Sequence, residues 1–221
     1  MAAARFMPSE PPVALGKNNA GKCLILIHGL TLSGRQFAPA GHFLLNSLGD
    51  NWRIILPTAP KQKVTWADGR TTTAWFDLPK GSFVRNQDEA GLLQAKTYIH
   101  SLVEEQISQG IGAENIFIGG FSQGGALAVL SALTYPGTLG AAVCLSGYLP
   151  IADTLTNCFD KKLPLLFAHG RQDVPIPPDL AESAVNLLKI HGFDVDFYTY
   201  PIGHTLNEKE LADVAQWLKS R

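Results

Sequence analysis

Short apolar runs recur along the chain and are separated by polar segments or by glycine and proline. Six of these runs have the length and the Ile, Leu, Val and Phe content of β-strands. Such runs are too short for helices when a glycine or proline bounds them. The six predicted strands span residues 23–28, 53–57, 115–119, 141–146, 163–170 and 194–201.

Segments with the apolar spacing of helices lie between these strands. Predicted helices cover residues 88–109, 126–135 and 179–191. A fourth helix begins at Asn207, with Glu210 three residues later in the pattern of a capping box. Strands that alternate with helices predict an α/β fold, with a mostly parallel sheet and helices on both faces. A chain of 221 residues has the length of a single domain, which we expect to span 1–221.

Two segments lack the regular spacing of apolar residues that predicts a helix or a strand. We expect residues 1–20 to be irregular. Residues 61–87 are long for a connection in a compact domain, and loops of this length usually have a function. We therefore interpret 61–87 as a long loop on the substrate side. Its aromatic residues argue against disorder; they are Trp66, Trp75, Phe76 and Phe83.

Residues 115–152 contain no charged side chain, which raises the possibility of a membrane span. Seven glycines and two prolines interrupt the run, whereas a spanning helix needs about 20 continuous apolar residues. Strand, helix and strand patterns follow one another here instead. The run therefore predicts the middle of a sheet that is covered on both faces, and no membrane span.

Composition excludes some classes of function. A net charge of −1 and 17% charged residues provide no basic surface for nucleic acid. Three cysteines cannot all pair; Cys23 and Cys144 lie in apolar runs as small hydrophobes, and Cys158 lies in a polar segment. Metal-binding spacings such as C-x-x-C and H-E-x-x-H do not occur. We expect a cytoplasmic protein without cofactor, metal or secretory signal, and the sequence does not indicate an oligomeric state.

The sequence GGFSQGG at residues 119–125 places Ser122 between a predicted strand and a predicted helix. It contains G-x-S-x-G, the nucleophile elbow, in which small neighbours allow a sharp turn that exposes the serine oxygen. The helix that follows directs its first N–H groups toward developing negative charge. The alternative is an ordinary strand-to-helix turn with an incidental serine.

A nucleophilic serine needs a histidine base and a carboxylate that orients the base. In elbow hydrolases these residues follow the serine in the order acid, then histidine. Of the six histidines, His204 alone follows a strand and the best acid, because His169 precedes that acid and His191 ends a helix. The acid is Asp173, which lies directly beyond an apolar strand. The sequence thus predicts a catalytic set of Ser122, Asp173 and His204.

An acyl-transfer serine also needs N–H donors for the oxyanion of its tetrahedral intermediate. One donor is the residue after the nucleophile, Gln123, and the other comes from the loop after an early strand. The sequence LILIHGLTLSG supplies this loop, with Leu30 as the predicted donor. We interpret His28 as a brace of the loop, because it precedes the serine.

With these motifs, the chain resembles the phospholipase/carboxylesterase family, which includes acyl-protein thioesterases and lysophospholipases. The resemblance begins near Lys22 and runs through HGL, PTAP, AWFD, GFSQGG, LSGYLP, HGRQDVPIP and YPIGH. It implies the α/β-hydrolase fold and a serine hydrolase of carboxylic esters or thioesters with the residues named above. One departure is the oxyanion loop, where Thr31 and Leu32 replace the usual glycine and aspartate.

The predicted substrate is a small ester or thioester with a short to medium acyl chain. The alternatives are a lysophospholipid, an acylated protein, and a catalytically silent fold that binds an apolar ligand. We predict that Trp66, Trp75, Phe76 and Ile176 bind the acyl group, since ligand sites are mostly apolar. The alternative is that the aromatic residues pack inward and only hold the loop, which leaves Leu30, Leu32 and Ile176 as the wall.

Overall fold

A twisted sheet of seven strands forms the centre of the protein in the computed structural model, which describes residues 6–154 and 163–221. Its strands are β1 Val13–Gly16, β2 Lys22–Ile27, β3 Trp52–Leu56, β6 Ile116–Phe121, β7 Ala141–Leu145, β8 Leu165–Gly170 and β9 Val195–Tyr200. The strand order is β1-β3-β2-β6-β7-β8-β9, and every neighbouring pair is parallel except that the edge strand β1 is antiparallel to β3.

Five helices in the described residues cover the two faces of this sheet. They are α1 Gly34–Leu48, α2 Glu89–Ser108, α3 Gln123–Thr134, α4 Pro178–Ile190 and α5 Glu208–Lys219. The alternation along β2 shows how the faces are divided. Cys23, Ile25 and Ile27 belong to the core cluster with α2, α3 and α4, whereas Leu24 and Leu26 belong to the cluster with α1 and α5. The core therefore has two layers, and the central strands are buried on both faces.

The predicted α/β fold, the six predicted strands and the four predicted helices are confirmed, with shifts of a few residues at their ends. Helix α3 begins three residues before the predicted start, immediately after Ser122. Helix α1 was absent from the prediction. It contains Pro39, and an interior proline normally indicates the end of a helix.

Two segments that the sequence predicts to be irregular contain strands. Within 1–20, β1 pairs with β3, so the prediction of an irregular start is wrong for these residues. Within 61–87, β4 Lys61–Val64 and β5 Arg70–Thr73 form an antiparallel hairpin outside the main sheet. The hairpin is polar on most positions, so its sequence lacks the apolar alternation that identifies half-buried strands.

No helix in the described parts of the chain has the length and apolar character to cross a membrane. The thiols of Cys23 and Cys144 are free and buried, in accord with their predicted role as small hydrophobes. Cys158 lies outside the described residues.

Candidate active site

The three predicted catalytic residues lie beyond the carboxyl ends of three parallel strands. Ser122 follows β6, Asp173 lies three residues beyond β8, and His204 lies four residues beyond β9. The carboxyl ends of parallel strands meet at the same edge of a sheet, where ligands of open α/β sheets bind. The topology therefore brings together residues that are far apart in sequence.

Ser122 sits in a strained turn between β6 and α3. Its backbone has φ 59° and ψ −121°, outside the regions that L-residues normally occupy. The turn is held by a hydrogen bond from Ser122 N to Leu145 O at 2.8 Å, and by bonds to Ser122 O from the amides of Gly125 and Ala126. This is the geometry expected of a nucleophile elbow.

A continuous hydrogen-bond chain links the three side chains. His204 Nε2 lies 2.9 Å from Ser122 Oγ, and His204 Nδ1 lies 2.7 Å from Asp173 Oδ2. The Asp173 carboxylate is fully buried, and its other oxygen accepts a hydrogen bond from the backbone N–H of Ile176 at 2.9 Å. The aspartate thus orients the imidazole, and the imidazole is in reach of the serine proton.

A second histidine contacts the same aspartate. His169 is buried at the end of β8, with Nε2 2.9 Å from Ile176 O and 3.4 Å from Asp173 Oδ2. Because Nε2 donates to the carbonyl, its position braces the turn between residues 169 and 176. His169 therefore contacts Asp173 and the Ile176 carbonyl, whereas the histidine that contacts Ser122 Oγ is His204.

The loop after β2 is fixed by His28. The backbone N–H of Ala59 donates to His28 Nε2 at 3.1 Å, so Nδ1 carries the proton and donates to Gly29 O at 2.7 Å. Burial lowers the pKa of His28 to about 4, against a smaller opposing effect of the Gly29 carbonyl. The imidazole is therefore neutral near pH 7, as its acceptor role requires.

The departure from the family pattern is visible in this loop. Thr31 has φ 71°, in the left-handed region that β-branched residues avoid. A non-glycine residue in such a conformation stores about 1–3 kcal/mol of strain. The backbone N–H of Thr31 donates to Thr73 O at 2.8 Å, which holds the loop in this conformation. Leu32 lies beside it and adds apolar surface to the hollow described next.

An apolar hollow of about 240 Å³ opens at Ser122; we call it the inner hollow. Of the predicted site residues, it brings together Ser122, His204, Leu30, Gln123, Trp66 and Ile176. None of its lining residues in the described chain is Asp, Glu, Lys or Arg. Its chemistry suits a neutral, hydrophobic group next to the serine oxygen.

Trp75 and Phe76 do not line this hollow, so their prediction as acyl-binding residues requires correction. Both side chains are buried, with exposed fractions of 0% and 1%. The Trp75 indole N–H donates to His28 O at 2.8 Å, and its ring packs against Phe6 and Tyr98 in the core. Inward packing, the alternative for these aromatic residues, is what the structure shows.

Five further apolar residues line the inner hollow, and among them only Phe83 was named from the sequence, as an aromatic residue of segment 61–87. They are Leu78, Phe83, Phe121, Tyr148 and Pro175. The first two belong to the predicted substrate-side segment, where their composition was a usable signal. Tyr148 follows β7 and Phe121 precedes the serine, and both lie in the uncharged run 115–152, whose pattern does not distinguish core residues from residues that line a site.

The topology and the elbow serine together define an α/β hydrolase, and solved structures of that class share this fold. The chain belongs to the phospholipase/carboxylesterase family, whose model matches residues 9–221.

Several relatives cover most of the chain. Carboxylesterase SOBER1 of Arabidopsis thaliana is 35% identical over 204 residues, which are 90% of this chain and 90% of that protein. Acyl-protein thioesterase 1 of Aspergillus fumigatus is 34% identical over 220 residues, 93% of this chain and 89% of its own length. The crystal structure of SOBER1 superposes with a TM-score of 0.84 at 34% identity, over 90% of this chain and 98% of that one.

Proposed function

We propose that this protein hydrolyses carboxylic esters or thioesters through an acyl-enzyme formed on Ser122. The observation that carries the proposal is the chain of hydrogen bonds from Ser122 Oγ to His204 at 2.9 Å and from His204 to the buried Asp173 at 2.7 Å. The family and its named carboxylesterase and thioesterase members support the same class of reaction.

In the proposed reaction, Ser122 Oγ attacks the acyl carbonyl while His204 Nε2 accepts the serine proton. The resulting oxyanion is stabilised by the backbone N–H groups of Leu30 and Gln123. Gln123 is the first residue of α3, so its N–H has no acceptor within the helix. His204 then donates the proton to the leaving alcohol or thiol, and a water molecule activated by His204 hydrolyses the acyl-enzyme.

The proposed acyl group is a neutral chain of short to medium length. The inner hollow is lined mainly by apolar side chains, and its volume is about 240 Å³. Trp66 and Ile176 are the predicted acyl-binding residues that reach it. Relatives named acyl-protein thioesterase favour an acylated protein as the second candidate substrate, and a lysophospholipid is the third.

Free buried cysteines support a cytosolic location.

The decisive test is replacement of the nucleophile. Ser122→Ala is expected to lose nearly all turnover of p-nitrophenyl butyrate and all labelling by a fluorophosphonate, because no covalent intermediate forms. A residual rate of ~10³-fold over water is compatible with remaining donors and binding. Ser131→Ala is the control, since Ser131 is buried in α3 away from the site. A wild-type protein that neither labels nor turns over would instead support a silent, ligand-binding fold.

A further inference from the structure

The four residues from Thr73 to Phe76 contact both segments that carry the proposed oxyanion donors. On one side, Thr73 O accepts the hydrogen bond from Thr31 N at 2.8 Å. On the other, the Gln123 side chain accepts from the backbone N–H of Trp75 at 2.9 Å and donates to Phe76 O at 2.7 Å. A short stretch of backbone therefore joins the loop after β2 to the start of α3.

Trp75 makes the contact to the loop with its side chain as well. Its indole N–H donates to His28 O at 2.8 Å, and the two rings lie 4.9 Å apart between centroids. The indole is completely buried. A buried carbonyl without a donor is unfavourable by roughly 1–3 kcal/mol, so this bond strongly restricts where the His28 carbonyl can lie.

The position of His28 determines the direction of the Leu30 N–H. His28 Nδ1–H donates to Gly29 O at 2.7 Å. Gly29 C=O and Leu30 N–H belong to the same peptide group, which is planar and trans, so fixing the carbonyl fixes the N–H on the opposite side. Any shift of His28 therefore rotates the proposed donor.

We propose that Trp75 is a positioning residue for the oxyanion site. Its indole N–H holds the loop that carries Leu30, and its backbone N–H holds the side chain of Gln123, whose own N–H is the other donor. One buried residue thereby sets the separation of the two donors. Because the donors are assigned as part of the proposed function, this inference rests on that function.

Electrostatic stabilisation depends on donors that are already in place when charge develops. Removal of a whole oxyanion donor lowers kcat by about 10²–10³-fold. Trp75→Phe leaves both donors present but removes the indole hydrogen bond that helps to hold the loop, so a smaller loss of about tenfold in kcat is expected. KM should change less than about twofold. The indole does not line the inner hollow, so it does not contribute to binding of the substrate in its ground state.

The test compares Trp75→Phe with Trp217→Phe in the full-length protein, using p-nitrophenyl butyrate. Trp217 is a suitable control because it is also buried, and its indole N–H also donates a hydrogen bond, to Asp196 at 2.6 Å, away from the site. The expected result is a fall in kcat for Trp75→Phe alone, with thermal unfolding confirming that both variants are folded. Unchanged kcat in folded Trp75→Phe, or an equal fall in Trp217→Phe, would overturn the proposal.

A second variant serves if Trp75→Phe fails to fold. Gln123→Met removes both side-chain hydrogen bonds to the Trp75 and Phe76 backbone while it retains the backbone N–H of residue 123. It is expected to lower kcat about tenfold. It should also weaken inhibition by an alkyl boronic acid, which forms a tetrahedral serine adduct, by the same factor as kcat/KM falls. Boronate inhibition and kcat as in wild type would overturn the proposal.

Labelling of wild-type Ser122 by a fluorophosphonate separates the two possible failures. If the wild-type protein is neither labelled by the fluorophosphonate nor hydrolyses the ester, both the proposed function and the positioning role of Trp75 are contradicted. If the wild-type protein labels and turns over but the Trp75 and Gln123 variants keep its kcat, only the positioning role of Trp75 fails.

Discussion

At the scale of single residues, the elbow requires glycine where backbone segments lie too close together to leave room for a Cβ atom. A Cβ atom on Gly124 would lie 2.3 Å from Ile27 O and 2.5 Å from His28 O, and one on Gly120 would lie 2.2 Å from Gly124 O. All three of these contacts are with backbone carbonyl oxygens, which cannot rotate away as a side chain can. By contrast, a Cβ on Gly119 would approach no atom more closely than 3.4 Å, the distance to the side chains of Leu24 and Val143. The glycines around the serine are therefore not equivalent.

This difference leads to a prediction for alanine substitutions in the elbow. Gly124→Ala is expected to lower the free energy of unfolding by about 3 kcal/mol, because the added methyl group forces α3 away from the end of β2. It should also lower kcat, since the same displacement moves Gln123. Gly119→Ala, the matched control, should change stability by less than about 1 kcal/mol. Urea unfolding and ester turnover measure both effects; equal stability of the two variants would contradict the contact argument.

Chain order and strand ends were enough to predict which serine, aspartate and histidine meet, because a parallel sheet collects the residues after its strands at one edge. A different argument, from aromatic composition, led to the wrong prediction for Trp75 and Phe76. Aromatic composition is the same for a residue that lines a groove and for one that packs beneath it. Only tertiary contacts, such as the bond from the indole to His28 O, distinguish the two cases.

At the scale of elements, helix α5 carries a buried carboxyl group next to the loop of His204. Asn207 caps the helix by accepting from Glu210 N at 2.8 Å, and Glu210 is completely buried. Burial raises the pKa of Glu210 to about 7, against a smaller lowering effect of the Asn207 backbone. The Asn207 half of the predicted capping box is therefore present, whereas both Glu210 carboxyl oxygens are buried without a hydrogen-bond partner, in an environment that disfavours ionisation.

The raised pKa predicts how stability depends on pH. Between pH 4.5 and 7 the folded state keeps a proton on Glu210 that the unfolded state releases, so raising the pH favours unfolding. Glu210→Gln removes this effect and retains the backbone N–H that donates to Asn207. Its free energy of unfolding should exceed that of wild type by up to about 3 kcal/mol at pH 8, and the gain should vanish by pH 4.5.

Denaturant unfolding at several pH values tests this, with Glu208→Gln as the control because Glu208 is exposed in the same helix turn. A gain for Glu210→Gln that is the same at pH 4.5 and pH 8 would contradict the role of ionisation.

Helix α1 and the β4–β5 hairpin are not predicted from the sequence, each for a different physical reason. Helix α1 contains Pro39 just after its first turn, yet Ser33 caps it and Phe37, Leu44 and Leu48 bury one face against the sheet. Tertiary burial thus outweighs a local signal that predicts a break. In the β4–β5 hairpin the local signal is absent instead. Its strands are mostly polar, and their hydrogen-bonded pairing with each other leaves no apolar alternation in the sequence.

At the scale of the whole molecule, the catalytic edge of the sheet carries two adjacent hollows. The inner hollow at Ser122 measures about 240 Å³, and an outer hollow of about 370 Å³ lies beyond it. Trp66, Phe83 and Pro175 line both. Val84 and Val174 on the outer side are exposed, so an apolar surface continues from the serine to the outside of the protein. Trp66, which is 51% exposed, forms part of the wall between the hollows.

This arrangement predicts how acyl-chain preference changes when the wall is removed. In the wild-type enzyme, kcat/KM for p-nitrophenyl esters should rise with chain length until the inner hollow is filled, because each buried methylene contributes about 0.8 kcal/mol. In Trp66→Ala the inner hollow opens into the outer one, so the rise should continue to longer chains. Stability should change little, since half of the indole is already in water.

Leu93→Ala is the control, because Leu93 is also apolar and partly exposed but lies on α2 away from both hollows. Its chain-length profile should match that of wild type. If Trp66→Ala shows that same profile while remaining folded, Trp66 does not limit the acyl chain. The limit must then come from the inner end of the hollow, where Tyr148 and Ile176 pack against Ala126 of α3 and both are almost completely buried.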